Sequence, residues 1–188
     1  MTGAYLQERF RLTVFGPLAL ILAAAALGGR LDARSLAVQT VGALFLLAQF
    51  RLWDDFADRR KDAVEHPHRV LVRAGSPAPV LGLGMGLLAL NVGFATQRDA
   101  TPVSLSLLAL LHVTLGAYYL LRQGRTLAGD QLLLAKYPAF VCVLAGERLL
   151  DAPIAVGAAA AFVYAGASAY EAWHDPVSPL GMLFGGRS

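Results

Sequence analysis

Four of the thirteen carboxylates of this chain fall within nine residues, in the run Arg51-Leu-Trp-Asp54-Asp55-Phe-Ala-Asp58-Arg-Arg-Lys-Asp62. On a continuous helix Asp54, Asp58 and Asp62 lie one turn apart, and Asp55 sits three before Asp58, so all four are expected on one side. Like charges at that spacing repel unless something cationic sits between them. Hard divalent cations that prefer carboxylate oxygen, Mg²⁺ above all, suit such a set. The plainer alternative is a solvated amphipathic turn. There Arg51–Asp55, Asp55–Arg59 and Asp58–Lys61 would pair for a few tenths of a kcal/mol each.

The elements that must position these groups are apolar. The 188 residues are 56% hydrophobic and 15% charged, with mean hydropathy +0.54, against roughly 25% charged in an average soluble chain. The apolar residues come in blocks about as long as a bilayer is thick. They predict an all-α, polytopic membrane bundle of about six helices in one domain (1–188), over about 12–28, 36–53, 78–95, 102–121, 131–149 and 153–170. An acidic loop, 54–77, follows the second. Lys136 and Pro138 interrupt the first turns of the fifth. Ala24-Ala25-Ala26 also fits a cleaved leader, which competes with a first membrane helix. Cys142 is the only cysteine, so no internal disulfide forms.

With six crossings, the N-terminus, the 51–77 loop, the 122–130 loop and the C-terminus share one side. Counting Lys136 there, that side holds twelve of the sixteen Lys and Arg residues, and the other holds Arg30, Arg34, Arg98 and Arg148. Basic residues are retained in the cytoplasm, which makes this an integral protein of a bacterial-type cytoplasmic membrane with its termini and acidic loop inside. The net charge of +3 and pI near 9.3 then reflect topology, with no nucleic-acid partner expected.

Asp54-Asp55-x-x-Asp58-x-x-x-Asp62, closing a membrane helix and followed by His-Pro-x-Arg69-Val-Leu-x-x-x-Gly75, resembles the first aspartate-rich motif of the UbiA family of intramembrane prenyltransferases. Asp54 stands where Asn is usual and Val70 where Pro is usual. Glu171-x-x-x-Asp175, after the sixth predicted helix, is similar to that family's second acidic motif, with Glu for the first Asp. The resemblance spans roughly residues 40–176 and the first two-thirds of such an enzyme. A homo-oligomer or a partner chain would supply further helices.

The resemblance implies a Mg²⁺-dependent transfer of an isoprenoid chain from a prenyl diphosphate to an aromatic or other lipophilic acceptor. Asp54, Asp55, Asp58, Asp62, Glu171 and Asp175 are the implied metal ligands. Asp55, Asp58 and Arg69 are the implied catalytic groups, and Arg69 is the implied diphosphate contact. Lys136 is a second candidate contact on the same side, but it matches no motif of the family and also reads as a topogenic charge. Carboxylate-held Mg²⁺ and basic side chains would neutralise the diphosphate as the allylic C–O bond breaks. Arg122 and Arg125 match no motif and read as topogenic charges. Tyr118, Tyr119, Tyr137 and Trp173 read as interfacial aromatics or as shields for a carbocation. His66, His68, His112 and His174 show no metal-ligand spacing. Two rivals stand beside this reading. One is an inactive UbiA-like accessory or cation- and lipid-binding subunit. The other is a CDP-alcohol phosphotransferase, whose contiguous Asp-Gly motif is lacking at Asp58-Arg59-Arg60.

The charge asymmetry predicts opposite accessibility for the loops around Ser76 and Thr101. In a Cys142→Ser background, single cysteines at those positions should label with a membrane-impermeant maleimide only at Thr101 in sealed cells. Equal labelling would overturn the topology.

Overall fold

The computed structural model describes residues 1–29, 32–97, 99–176 and 178–183. Arg30, Arg98 and Arg187, counted in the charge asymmetry, lie outside them. The described residues are all-helical, without strands. The order is α1 (Thr2–Arg9), α2 (Leu12–Leu27), α3 (Ala33–Ala57), α4 (Arg59–Glu65), α5 (Val70–Arg73), α6 (Ala78–Thr96), α7 (Val103–Leu121), α8 (Leu127–Leu134), α9 (Lys136–Ala145), α10 (Arg148–Asp151), α11 (Pro153–His174) and α12 (Pro179–Leu183).

Five segments are long and apolar enough to cross a membrane: α3, α6, α7, α8 with α9, and α11. At 1.5 Å per residue a 19-residue helix such as α6 spans about 28 Å, close to the hydrocarbon thickness. The first predicted helix is only the 16-residue α2, bent by 72° from α1, and this pair makes a sixth crossing if counted as one span. Large side chains on the outward faces, among them Leu110, Val113, Ile154 and Phe162, are exposed. That suits a lipid environment and would be costly in water.

Several boundaries differ from those the sequence predicts. α3 runs past Trp53 to Ala57, so Asp54 and Asp55 belong to the membrane helix and not to a loop. Its opening is capped by Asp32, which accepts the Ser35 N–H at 2.8 Å. The expected loop 54–77 is instead the end of α3 followed by α4 and α5. The fifth span begins at Leu127 and ends at Ala145, with a break at Ala135. Pro138 has no N–H to give the Leu134 carbonyl, so the helix cannot continue unbroken there. Thr126 caps the earlier start by accepting the Gly129 N–H at 3.1 Å. α11 continues to His174, which places Glu171 in the helix and Asp175 at its C-cap.

α3 packs along α2, α6 and α9, and α9 lies against α2, α7 and α11. Phe50, Phe140, Leu108, Leu115, Leu144 and Val156 are fully or almost fully buried at the centre. α9 ends at Gly146, whose φ of 57° and ψ of −131° suit only glycine. Across this turn Ser104 donates to the Val143 carbonyl at 2.9 Å, tying α7 to α9. A Cβ at Gly146 would meet the Ser104 hydroxyl at 2.7 Å as well as the Asp99 carboxylate. Gly146→Ala should therefore cost about 1–3 kcal/mol of stability, read as a lower unfolding midpoint in detergent.

Candidate functional site

Residues 54 and 55 are neighbours on one helix and so point about 100° apart. The structure uses this to send each aspartate to a different helix. Asp55 faces α1, where it accepts from Tyr5 Oη at 2.8 Å, Arg9 Nε at 2.9 Å and Arg9 Nη2 at 2.6 Å. Arg51, one turn back on α3, adds a contact at 3.3 Å. Both Asp55 oxygens are engaged, and the residue is 5% exposed. Asp54 faces the other way, accepting from Tyr119 on α7 and pairing with the buried Lys136 on α9.

At Asp58 the helix gives way to α4, and its carboxylate takes Arg122 Nη2 at 2.7 Å. The Arg122 guanidinium also lies 4.9 Å from the Tyr119 ring centroid, a cation–π contact. Asp62 is buried and pairs with Arg69, the residue that precedes α5. Glu8 of α1 accepts the Val70 N–H at 2.9 Å, which fastens the same turn to the N-terminal helix. The single-sided array expected from i, i+4 and i+8 spacing is thus split. Asp55 and Asp62 anchor α1 and α5, whereas Asp54 and Asp58 meet α7 and α9.

The second acidic segment gathers around Arg125, in the turn before α8. Its Nη1 donates to Asp175 at 2.7 Å, Nη2 to Glu171 at 3.0 Å and Nε to Asp130 at 2.9 Å. Burial works against the charged guanidinium, but the hydrogen bonds to Asp130 and Asp175 outweigh it and raise its pKa above the usual arginine value. Arg125 therefore stays cationic throughout the working pH range. Asp130 is 5% exposed, and its second oxygen has no partner among the described residues.

These groups surround one cavity of about 950 Å³. Asp54, Asp55, Asp58, Asp62, Arg69, Lys136 and Glu171 all line it, and Asp175 joins through Arg125. Eight Arg and Lys side chains face seven carboxylates around its walls. Apolar side chains, among them Phe15, Leu47, Phe50, Leu133 and Phe140, also line it. No group of three or more His, Cys, Asp or Glu among the described residues is arranged to hold a metal ion by itself.

Several contributors were not singled out as site residues from the sequence. Arg122 and Arg125 read as topogenic charges, yet each pairs with a carboxylate of an acidic segment. Tyr118, Tyr119 and Tyr137 line the cavity, while Trp173 is 80% exposed as an interfacial aromatic would be. Asp130 lay in a predicted loop, and the Thr126-x-x-Gly129 cap just before it is the signal that it belongs to a helix. Nothing local in the sequence joins Tyr5 and Arg9 to Asp55. No protein family, curated protein or solved structure matches the chain.

The partners of Asp55 make it a structural anchor. Asp55→Asn leaves Arg9 without its counter-charge in a site where that side chain is 18% exposed, at a cost of about 3–5 kcal/mol. Asp58, with a side chain 41% exposed and one arginine partner, should tolerate Asn with an almost unchanged unfolding midpoint. Equal losses in the two variants would contradict the division between anchoring and cavity-facing aspartates.

Proposed function

We propose that the cavity binds a prenyl diphosphate with Mg²⁺ and that the chain is an intramembrane prenyltransferase of UbiA type, oriented with the cavity toward the cytoplasm. The observation that carries this reading is the meeting of both acidic segments in one charge-interleaved cavity that apolar side chains also line. An excess of one basic group over the carboxylates cannot by itself balance a diphosphate of two or three negative charges. A divalent cation entering with the diphosphate makes up the difference.

Two buried atoms without partners among the described residues fit the same pair of guests. Arg51 Nε lacks an acceptor and Asp130 Oδ2 lacks a donor or cation, and both residues line the cavity. Mg²⁺ is commonly held by one or two carboxylates with the substrate phosphates and water completing its shell, so a preformed three-carboxylate cluster is not required. Asp54 and Asp58 on one wall and Glu171 on the other are the residues suited to hold it. Asp55 and Asp62 are better suited to anchoring, since both are buried as well as paired with arginine.

Bound Mg²⁺ supplies neutralisation of the charge that develops on the leaving diphosphate. The chain's own part is positioning and electrostatics. Arg122 and Arg125 already contact cavity-facing carboxylates and can turn a guanidinium fork toward phosphate oxygens. Lys136 pairs with Asp54, and Arg69 fixes the α4–α5 turn through Asp62. Phe50, Tyr137 and Phe140 line the apolar side, where an isoprenoid chain would be kept from water.

A second reading has its own support. Each acidic-motif carboxylate has a basic partner, which suits an accessory subunit whose acidic segments serve only to hold the helices together. Titration with a fluorescent farnesyl diphosphate analogue separates the two. Under the enzymatic reading, binding requires Mg²⁺ and weakens at least roughly tenfold in both Asp58→Asn and Arg125→Gln, with the fold retained. Metal-independent binding, or no binding by a folded protein, favours the accessory reading.

A further inference from the structure

Away from the charged cavity, a chain of neutral polar side chains crosses the bundle within the membrane spans. Asn91 of α6 donates from Nδ2 to Gln49 Oε1 of α3 at 2.6 Å. Gln49 Nε2 stands 2.6 Å from His112 Nε2 of α7, and His112 Nδ1 stands 2.7 Å from the Leu108 carbonyl. A carbonyl only accepts, so Nδ1 carries the imidazole proton and Nε2 accepts from the Gln49 amide. All three side chains are then uncharged. Gln49 and Asn91 are 6% and 3% exposed.

Interhelical hydrogen bonds of this kind are common glue in membrane bundles. Glue does not account for the space beside them. A second cavity of about 390 Å³ lies against Gln49, Trp53 and His112, within the usual size range of small-ligand pockets. Its other walls are apolar, including Leu52, Phe56 and Leu88, and no charged side chain among the described residues lines it. Trp53 stacks on His112 with centroids 5.3 Å apart and planes 28° from parallel. Leu81 and Met85, which also line it, are 50% and 66% exposed on the outer face of α6, so the cavity opens toward lipid. The Gln49 amide keeps one N–H and one carbonyl lone pair beyond the bonds it makes among the described residues.

We propose that this cavity binds a neutral lipophilic compound carrying a ring hydroxyl or carbonyl, taken sideways from the bilayer past Leu81 and Met85. The absence of charge among its walls excludes phosphates and carboxylates, whose desolvation nothing there would offset. The stacked Trp53–His112 face suits a flat ring. The spare donor and acceptor of Gln49 suit a single hydroxyl or carbonyl oxygen. Phe50, Trp53 and Tyr119, with neighbouring ring centroids 5.7 Å apart, form the partition between this cavity and the charged one. If the diphosphate reading holds, the compound would wait beside the reactive end of the donor, but its binding does not depend on that reading.

Trp53 reports on the site directly. The chain has two tryptophans, so Trp173→Phe leaves Trp53 as the only one. In nanodiscs containing this variant, 6-bromo-2-naphthol should quench Trp53 fluorescence saturably, without Mg²⁺ or diphosphate present. Met85→Phe, which narrows the lipid-side mouth, and Gln49→Leu, which removes the polar contact, should each weaken binding by roughly tenfold or more. 2-Bromonaphthalene, which lacks the hydroxyl, should bind weaker by a similar factor. If Gln49→Leu fails to fold, Met85→Phe and the hydroxyl-free probe decide. Quenching that rises linearly with probe and is equal in all variants would mean partition into lipid alone and would overturn the proposal. Equal affinity for the two probes would overturn it as well.

Discussion

A carboxylate inside a membrane bundle is stable only if a cation and hydrogen-bond donors meet it there. The end of α3 and the α4 that follows it carry four aspartates, and the rest of the structure is arranged to satisfy them. Asp55 recruits α1 through Tyr5 and Arg9. Asp54 draws in α7 and α9 through Tyr119 and Lys136. Asp58 takes Arg122 from the end of α7, and Asp62 takes Arg69 before α5. Each pair is also a connection between helices. The cavity is the space these connections enclose.

This arrangement also explains a division of labour among residues that the sequence presents as equivalent. An aspartate with both oxygens engaged by arginine and tyrosine, as Asp55 is, gains its stability from staying there. Asp54 and Asp58 line the cavity and are tied to side chains of α7 and α9 and to Arg122 at the end of α7. The cluster around Arg125 has the opposite imbalance, three carboxylates on one guanidinium, and leaves an Asp130 oxygen without a partner among the described residues. One side of the cavity is thus rich in donors and the other in acceptors, an asymmetry suited to a guest made of an anion and a metal.

What was legible in the sequence follows from how local its cause is. The apolar blocks and their lengths gave the helical membrane architecture, because burial in lipid is decided segment by segment. The acidic residues were equally legible as a cluster, but the one-sided array that their spacing predicts is split between helices. Boundaries were less accessible: α3 extends through Asp54 and Asp55 because ion pairs from other helices make charged residues tolerable in its last turn. The early start of the fifth span depends on a Thr126 cap and a break before Pro138, signals that hydropathy does not weigh. The pairing of Arg9 with Asp55, and of Arg125 with residues from two helices, rests on tertiary proximity that no local pattern encodes. His112 looked idle from its spacing, since its side-chain partner Gln49, itself bonded to Asn91, lies on another helix.

The central claim is that opposite walls of one cavity jointly hold a metal and a diphosphate. An experimental structure with Mn²⁺ and a non-hydrolysable prenyl diphosphate analogue tests it most directly. The account predicts anomalous density for the metal between the Asp54–Asp58 wall and Glu171, with the phosphates against Arg122 and Arg125 and the apolar tail toward Phe50 and Phe140. The Asp55–Arg9 pair should remain intact. A ligand bound elsewhere, or a cavity whose ion pairs all persist with no metal between them, would contradict it.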